Sequence, residues 1–134
     1  MNFYYPANVW LAFGETFEGN QAIIDWFIKN DFPEVAALSH AMRGSDEAFS
    51  WLMKNGFLHL AAFDSAVTSV DPKAYLWLKK NKHPFLMIFS DACRGKEQAI
   101  RWLLKNNLHG FVMIAGKVKK FCDSMTFDYH RKQF

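Results

Sequence analysis

The chain has 134 residues, of which 51% are hydrophobic and 17% are aromatic, so it can bury a core and is not expected to be disordered. Its net charge of +3 conceals an uneven distribution, with eight acidic and three basic side chains in residues 1–67 but five acidic and thirteen basic ones in residues 68–134. Apolar runs such as 85–89 fall far short of the roughly 20 residues that cross a bilayer, and the N-terminal stretch lacks the basic residues of a secretory signal. We therefore predict one domain over residues 1–134, no membrane span and a cytoplasmic location.

A five-residue phrase occurs four times in the chain, and its Trp, Lys and Asn are identical in every copy. The four tryptophans recur at intervals of 25, 26 and 25 residues: Trp26, Trp51, Trp77 and Trp102. A period of this size is typical of repeat proteins, in which each unit is one supersecondary element stacked on its neighbours. The sequence therefore predicts an all-α fold, an α-solenoid of about four stacked short helix pairs.

Residues 1–19 form a half unit in this scheme. The segment 8–17 is helix-like and in register with the first helix of each later unit, but no partner helix precedes it. The end unit of a stack must cover one side of the core, so we predict an N-terminal capping helix here. Residues 20–120 are assigned to the repeats, and residues 121–134 to a C-terminal cap or tail.

Each unit divides into two helices at a short polar step. In the unit that shows this most clearly, Pro33 suits the first turn of the first helix, and Gly44 suits the left-handed residue that ends it. Ser45 then caps the second helix. Asn55, just beyond the second helix, is predicted to adopt a left-handed backbone. Similar signals recur in 58–81 and 84–106.

The repeated Trp and the repeated Lys-Asn pair each allow a structural and a functional interpretation. Exposed indoles could stack on bases or form an aromatic cage, but each Trp lies beside the apolar stripe of its helix. We predict that the tryptophans pack in the core between repeats. The Lys-Asn pairs could follow a row of phosphates, but a cation at a helix C-terminus followed by a capping Asn explains both residues in every copy.

The unit resembles the ankyrin repeat. The pattern Glu-Ala-x-x-Trp-Leu-x-Lys-Asn, seen in 47–55, is similar to the second helix of that family, and His-Leu-Ala-Ala at 59–62 is similar to its first-helix phrase. The resemblance covers roughly residues 7–120 and implies helix pairs that bind a protein. The period is about 25 rather than about 33 residues, which implies that the β-hairpin finger of ordinary ankyrin repeats is missing. The chain is most similar to shortened, ankyrin-like αα repeats.

Positions that differ between the copies are the predicted binding surface. Where copies agree, a helix must pack, whereas a solvent-facing position can change to suit a partner. The variable polar positions of the first helices are predicted to form a band that binds a protein partner: Ser39, His40, Arg43, Asp64, Ser65, Thr68, Ser90, Asp91, Arg94 and Lys119. Arg43 and Arg94 are the expected anchors, since arginine is enriched at binding hot spots. The alternative is a merely solvated face.

The sequence contains no recognisable pattern for catalysis. Its five histidines are scattered without metal-ligand spacing, and no nucleotide-binding or nucleophile motif is present. Cys93 and Cys122 are too few for a zinc knuckle or a disulfide framework and are predicted to be free thiols. These observations predict a non-enzymatic protein-interaction module without a cofactor or metal.

The basic second half of the chain leaves two further partners open. A basic band on a helical stack can follow phosphates, so the backbone of a nucleic acid is the alternative partner. A solenoid keeps sequence order as spatial order, so we also expect an acidic end and a basic end. Head-to-tail self-association through these opposite charges is the other alternative.

Overall fold

The computed structural model describes residues 1–125, and this part of the chain contains nine α-helices and no strand. The helices are α1 (Ala7–Glu15), α2 (Gln21–Lys29), α3 (Pro33–Met42), α4 (Asp46–Lys54), α5 (Leu58–Thr68), α6 (Lys73–Lys80), α7 (Pro84–Cys93), α8 (Glu97–Lys105) and α9 (His109–Ser124). A short 3-10 helix, Thr16–Glu18, follows α1. The prediction of an all-α fold is confirmed. Residues 126–134, most of the predicted C-terminal cap or tail, lie outside the described residues.

The helices form an inner and an outer layer. The odd-numbered helices α3, α5, α7 and α9 pack against one another in sequence order. Each of α2, α4, α6 and α8, the outer layer, packs on the two odd-numbered helices that flank it in the chain. The odd-numbered helices are thus the inner layer, and burial agrees: α5 is buried from Leu60 to Thr68, whereas α6 buries only Ala74 and Leu78.

The inner layer closes on itself. The sequence predicts an open stack whose first and last helices lie far apart, with α1 as a cap at one end. Instead, α1 packs along α9 and also contacts α3, so the five odd-numbered helices form a closed ring of contacts. The chain therefore covers the exposed side of its first unit with its own last helix.

Small size and opposite charge explain the contact between α1 and α9. Gly14 lies so close to Ile114 that an added Cβ would be 3.1 Å from Ile114 Cγ1. Lys117 of α9 forms ion pairs with Glu15 and Glu18 beside the same contact. Residues of the acidic and the basic half of the chain, which the sequence predicted to lie at opposite ends of the molecule, are therefore in direct contact.

The centre of the ring is filled by aromatic side chains. Trp10, the tryptophan outside the repeats, is 1% exposed. Its ring lies 5.4 Å from Phe89, 5.9 Å from Phe111 and 6.4 Å from Phe85, in edge-to-face arrangements that favour aromatic pairs. Residues from α1, α7 and α9 thus share one cluster.

The repeated phrase builds the turn from each outer helix to the next inner helix. In all four copies the Asn side chain donates to the carbonyl of the Trp at 2.8–2.9 Å. The backbone N–H two residues after the Asn also bonds back into the helix, as Phe32 N does to Phe27 O at 2.8 Å, which is the Schellman pattern of a helix end. We call the four segments the Trp turns: 26–32, 51–57, 77–83 and 102–108.

The left-handed residue of each Trp turn is the one after the Asn. The four Asn residues have φ from −108° to −95°. Positive φ, from 60° to 84°, occurs at the next position in each copy: Asp31, Gly56, Lys82 and Asn107. The prediction that Asn itself is left-handed is therefore wrong, because the Asn is the C-cap whose side chain holds the helix end. The other predicted signals are confirmed: Pro33 starts α3, Ser45 Oγ accepts from Ala48 N at 3.1 Å, and Gly44 has φ of 110°.

The tryptophans of these turns do not lie in the core. Trp26 and Trp51 are 45% and 37% exposed, and Trp77 and Trp102 are half-buried. In three copies the indole stacks within 14° on the ring six residues later, with centroids 5.5–6.1 Å apart: Trp26 on Phe32, Trp51 on Phe57 and Trp77 on His83. The prediction of core packing between repeats is therefore wrong for Trp26 and Trp51, whereas Trp77 and Trp102 are partly buried against the core. In the three stacked copies the indole covers its own turn. An apolar contact at this place commonly accompanies the Schellman pattern.

Candidate interaction surfaces

The predicted polar band on the first helices lies largely inside the protein. Five of its members are at most 3% exposed: Ser39, Asp64, Ser65, Thr68 and Ser90. The prediction that they face solvent is wrong, because the inner helices are covered by the outer layer and by one another. Ser39 Oγ, for example, donates to Thr16 Oγ1 at 2.7 Å. Such bonds offset the cost of burying a hydroxyl.

The two predicted anchors make hydrogen bonds within the chain. Arg94 Nη1 donates to the carbonyls of Ala66 and Ser69, at 3.2 Å each, where α5 ends. Arg43 Nε donates to Ser39 Oγ at 3.1 Å, and burial lowers the pKa of its guanidinium. Both arginines therefore stabilise the C-terminal ends of inner helices, where a cation is favoured.

The remaining predicted site residues fall into three places. His40 lies beside Arg43, and burial together with that positive charge lowers the pKa of His40. Asp91 accepts from the Tyr75 hydroxyl at 3.0 Å. Lys119 pairs with Asp123 at 2.8 Å. The structure thus brings only some of the ten residues together and leaves no continuous exposed band.

Arg94 and Lys119 do line one shallow cavity of about 190 Å³, together with Cys93 and Cys122. Neither cysteine is part of a disulfide, as predicted. Burial raises the pKa of the Cys93 thiol well above its ordinary value. Activated cysteines have lowered pKa values, so the shift at Cys93 is opposite to the one that activation requires.

An N-terminal strap, residues 1–6, lies across the opposite end of the ring, where the inner helices begin. Three successive aromatic residues of the strap contact residues at the starts of different inner helices: Phe3 meets Phe85 and Phe111, Tyr4 meets His59 and His83, and Tyr5 meets Phe32 and Glu34. Periodicity could not reveal this contact, because the strap is not part of a repeat. Its only signal in the sequence is the density of aromatic residues before α1.

The strap turns sharply at Tyr4, which has φ of 71°. Tyr5 N donates to Phe3 O at 2.8 Å, and Trp10 Nε1 donates to the same oxygen at 2.7 Å. The Tyr4 hydroxyl lies 2.5 Å from His83 Nδ1. Burial lowers the pKa of both His59 and His83, and the nearby His83 lowers that of His59 further. This end of the ring thus favours neutral histidines.

The outer helices expose large apolar side chains. Five of them are more than a third exposed: Trp26, Ile28, Trp51, Leu76 and Leu104. Ile28 and Leu104 occupy the same repeat position, two residues after the Trp. The position three residues after the Trp is an exposed lysine in every copy: Lys29, Lys54, Lys80 and Lys105.

The charge around these side chains changes from one half of the outer layer to the other. Four carboxylates lie on α2 and α4 or directly after α2: Asp25, Asp31, Asp46 and Glu47. Four further cations lie on α6 and α8 or directly after α6: Lys73, Lys79, Lys82 and Arg101. The sequence predicted this asymmetry, but not that it would lie on the outer helices.

Comparison of the chain with protein-family models, with curated proteins and with solved structures finds no match. Within residues 1–125, no helix combines the length and the hydrophobicity that a membrane crossing requires. In the same residues, no three His, Cys, Asp or Glu side chains are grouped as a metal ion would need.

Proposed function

We propose that the protein is a non-enzymatic protein-interaction module whose contact surface is formed by the outer helices. The observation that carries this proposal is the exposure of Trp26, Ile28, Trp51, Leu76 and Leu104 on successive outer helices. Single exposed apolar residues are ordinary, but these recur along one layer and are surrounded by charged side chains. An apolar centre with a polar rim, enriched in Trp, is typical of protein interfaces.

This proposal moves the binding surface away from the polar band of the inner helices. Buried side chains such as Ser39 and Asp64 cannot touch a partner unless the ring opens. The resemblance to shortened ankyrin-like repeats and the solenoid-like succession of helix pairs remain parts of the proposal. They supply a scaffold on which outer positions can vary without disturbing the turns. A cytoplasmic location also stays a prediction.

Affinity capture from the source cell, followed by mass spectrometry, tests the proposal. Ile28→Asp combined with Leu104→Asp should remove the captured protein, because both changes place a carboxylate among the exposed apolar side chains of the outer helices. Met113→Asp is the matched control, since Met113 is 53% exposed but lies on the inner helix α9. Circular dichroism and melting temperature should match the wild type in both variants.

Two outcomes would contradict the proposal. Undiminished capture by the double variant would exclude the outer helices as the contact surface. Loss of all capture after nuclease treatment would assign the surface to a nucleic acid, the second candidate, which is favoured by the cations on α6 and α8.

A further inference from the structure

The exposed faces of α6 and α8 form a surface that we call the basic face. It consists of the residues one before, two after and three after the Trp of each helix: Leu76, Lys79, Lys80, Arg101, Leu104 and Lys105. All six side chains are exposed. Each helix therefore presents one leucine and two cations, with the leucine at a different position in the two copies.

The two helices of the basic face are fixed with respect to each other. Both pack on α7, which lies between them in the chain. The Asp91 carboxylate of α7 accepts from the Tyr75 hydroxyl of α6 at 3.0 Å and pairs with Lys96, the residue before α8, at 3.4 Å. Lys96 Nζ also lies 6.0 Å from the centre of the Tyr75 ring. One carboxylate thus connects the starts of both helices.

Several cations of the basic face lack a neutralising partner. Among the described residues, no carboxylate lies within ion-pair distance of Lys79, Lys80 or Lys105, whereas Arg101 pairs with Glu97. A lysine near a helix C-terminus is favoured by the helix dipole, which accounts for Lys80 and Lys105. The effect also reaches Lys79 in the last turn of α6, but it does not account for Arg101 in the middle of α8, or for the exposure of Leu76 and Leu104, which are 55% and 42% exposed.

We propose that the basic face binds an acidic protein segment that also carries apolar side chains, such as an amphipathic acidic helix. This inference rests on the proposed function, because it needs the outer helices to be the contact surface. The carboxylates of the segment would lie against Lys79, Lys80 and Lys105, and its apolar side chains would cover Leu76 and Leu104. A phosphate polymer would use the same cations but would leave both leucines in water, so the leucines favour a protein segment.

The other half of the outer layer provides a matched comparison within the same chain. The equivalent positions on α2 and α4 are Asp25, Ile28, Lys29, Ser50, Met53 and Lys54. This surface repeats the lysine three residues after the Trp but carries no other cation, and it adds a carboxylate. It should therefore not bind an acidic segment.

Fluorescence anisotropy with a labelled peptide tests the inference on the full chain. The peptide is about 16 residues long, with Leu at every third or fourth position and Glu at most others. A second peptide with Gln in place of Glu, and a single-stranded DNA of about 16 nucleotides, serve as probes for charge and for phosphate. The Glu peptide should bind at least about tenfold more tightly than the Gln peptide at about 50 mM NaCl, and the difference should shrink at about 300 mM NaCl.

Charge reversal at equivalent positions of the two halves tests where on the outer layer the peptide binds. Lys80→Glu combined with Lys105→Glu should weaken binding of the Glu peptide at least about tenfold, because attraction becomes repulsion at both helix ends. Lys29→Glu combined with Lys54→Glu alters the net charge equally and removes the same helix-end cations, but should change the affinity by less than about twofold. Equal effects of the two pairs would show attraction to overall charge and would overturn the inference.

Removal of the leucines tests the class of partner. Leu76→Ser combined with Leu104→Ser should weaken the Glu peptide about tenfold and leave DNA binding unchanged. The inference would be overturned if the leucine substitutions left the affinity for the peptide unchanged. It would also be overturned if DNA bound more tightly than the peptide and only the lysine substitutions weakened DNA binding. If the Glu peptide fails to bind while Ile28→Asp with Leu104→Asp still removes a cellular protein, the inference fails and the proposed function stands. If the Glu peptide fails to bind and the Ile28→Asp, Leu104→Asp variant still captures the cellular protein, both the inference and the proposed function fail.

Discussion

The Trp turns and the interior of the ring follow different rules. In the Trp turns, Trp, Lys and Asn are identical in all four copies, although Trp26 and Trp51 are more than a third exposed. In the interior, one equivalent position is Ser39, Asp64 and Ser90 in successive copies, so it is not constant, although all three side chains are fully buried. In this molecule, a residue that is identical in all copies of the repeat is therefore not necessarily buried, and a residue that varies between copies is not necessarily exposed.

The closed ring explains this difference. Each Trp turn performs one local task, the ending of a helix, and therefore needs the same residues every time. Each inner helix, in contrast, has different neighbours: α3 meets the half unit α1, and α9 meets the same half unit from the other side. Ser39 pairs with Thr16, a contact that no other copy can repeat, because the half unit occurs only once.

The largest expected effect on stability distinguishes the buried Trp10 from the tryptophans of the Trp turns. Trp10→Ala should lower the free energy of unfolding by about 3–5 kcal/mol, since it empties a buried site among Phe85, Phe89 and Phe111. Trp51→Ala should cost about 1–2 kcal/mol, because the side chain is 37% exposed and stacks on one ring. Urea unfolding curves of both variants give the comparison.

Equal losses for Trp10→Ala and Trp51→Ala would show that the Trp turns contribute as much to stability as the ring interior. Both variants remove the same atoms, so the side chain itself is controlled. The comparison depends only on where the side chain lies.

The sequence predicts the local structure of this chain better than its tertiary arrangement. Cap residues such as Pro33, Gly44 and Ser45 act through bonds to their own helix, so their roles follow from nearby residues alone. The ring depends on contacts between residues about a hundred positions apart, such as Gly14 with Ile114 and Lys117 with Glu15. The 25-residue period of the sequence does not indicate these contacts. The candidate site shifted because Ser39 and Ser90 are buried by neighbouring inner helices and by the outer layer, which their own helix sequences do not show.

The next prediction concerns closure of the ring. Gly14→Val should lower the free energy of unfolding by about 1–3 kcal/mol, because even the first added carbon would press on Ile114. Gly116→Val is the matched control: it also lies in a helix, but an added Cβ there meets nothing within 4 Å. Its effect should be only a few tenths of a kcal/mol in the stabilising direction, from helix propensity. A Gly14→Val protein as stable as the control would contradict close packing of α1 on α9.

A smaller effect is expected at a left-handed residue in a Trp turn. Lys82 has φ of 61°, a region that disfavours side chains with a Cβ. Lys82→Gly should remove this cost but also raise the entropy of the unfolded chain, so the free energy of unfolding should increase by about 0.5–1 kcal/mol. Gly56→Ala, at the equivalent position with φ of 84°, should lower the free energy of unfolding by a similar amount. Thermal melts that move in the same direction for both variants would show that the four Trp turns are not equivalent.

The smallest effect should appear in the dependence of stability on pH. His59 and His83 are held against the strap with lowered pKa values, so the unfolded chain takes up protons near pH 6.5 more readily than the folded one. Their contribution is therefore complete above about pH 6.5 and is lost as the pH falls below that value. His40 acts in the same direction through burial and Arg43. The melting temperature should accordingly decrease between about pH 7.5 and about pH 5.5, a range above the titration of most carboxylates.

His83→Phe isolates the contribution of the strap end. Phenylalanine already stands at the equivalent position in the first two Trp turns, as Phe32 and Phe57, so the stack on Trp77 should be kept. The decrease in melting temperature should become smaller, because one group with a lowered pKa is gone and His59 loses the repulsion of its neighbour. His59 and His40 should account for the remainder. If the decrease is the same in wild type and variant, His83 does not contribute to the acid sensitivity, which then comes from His59 and His40.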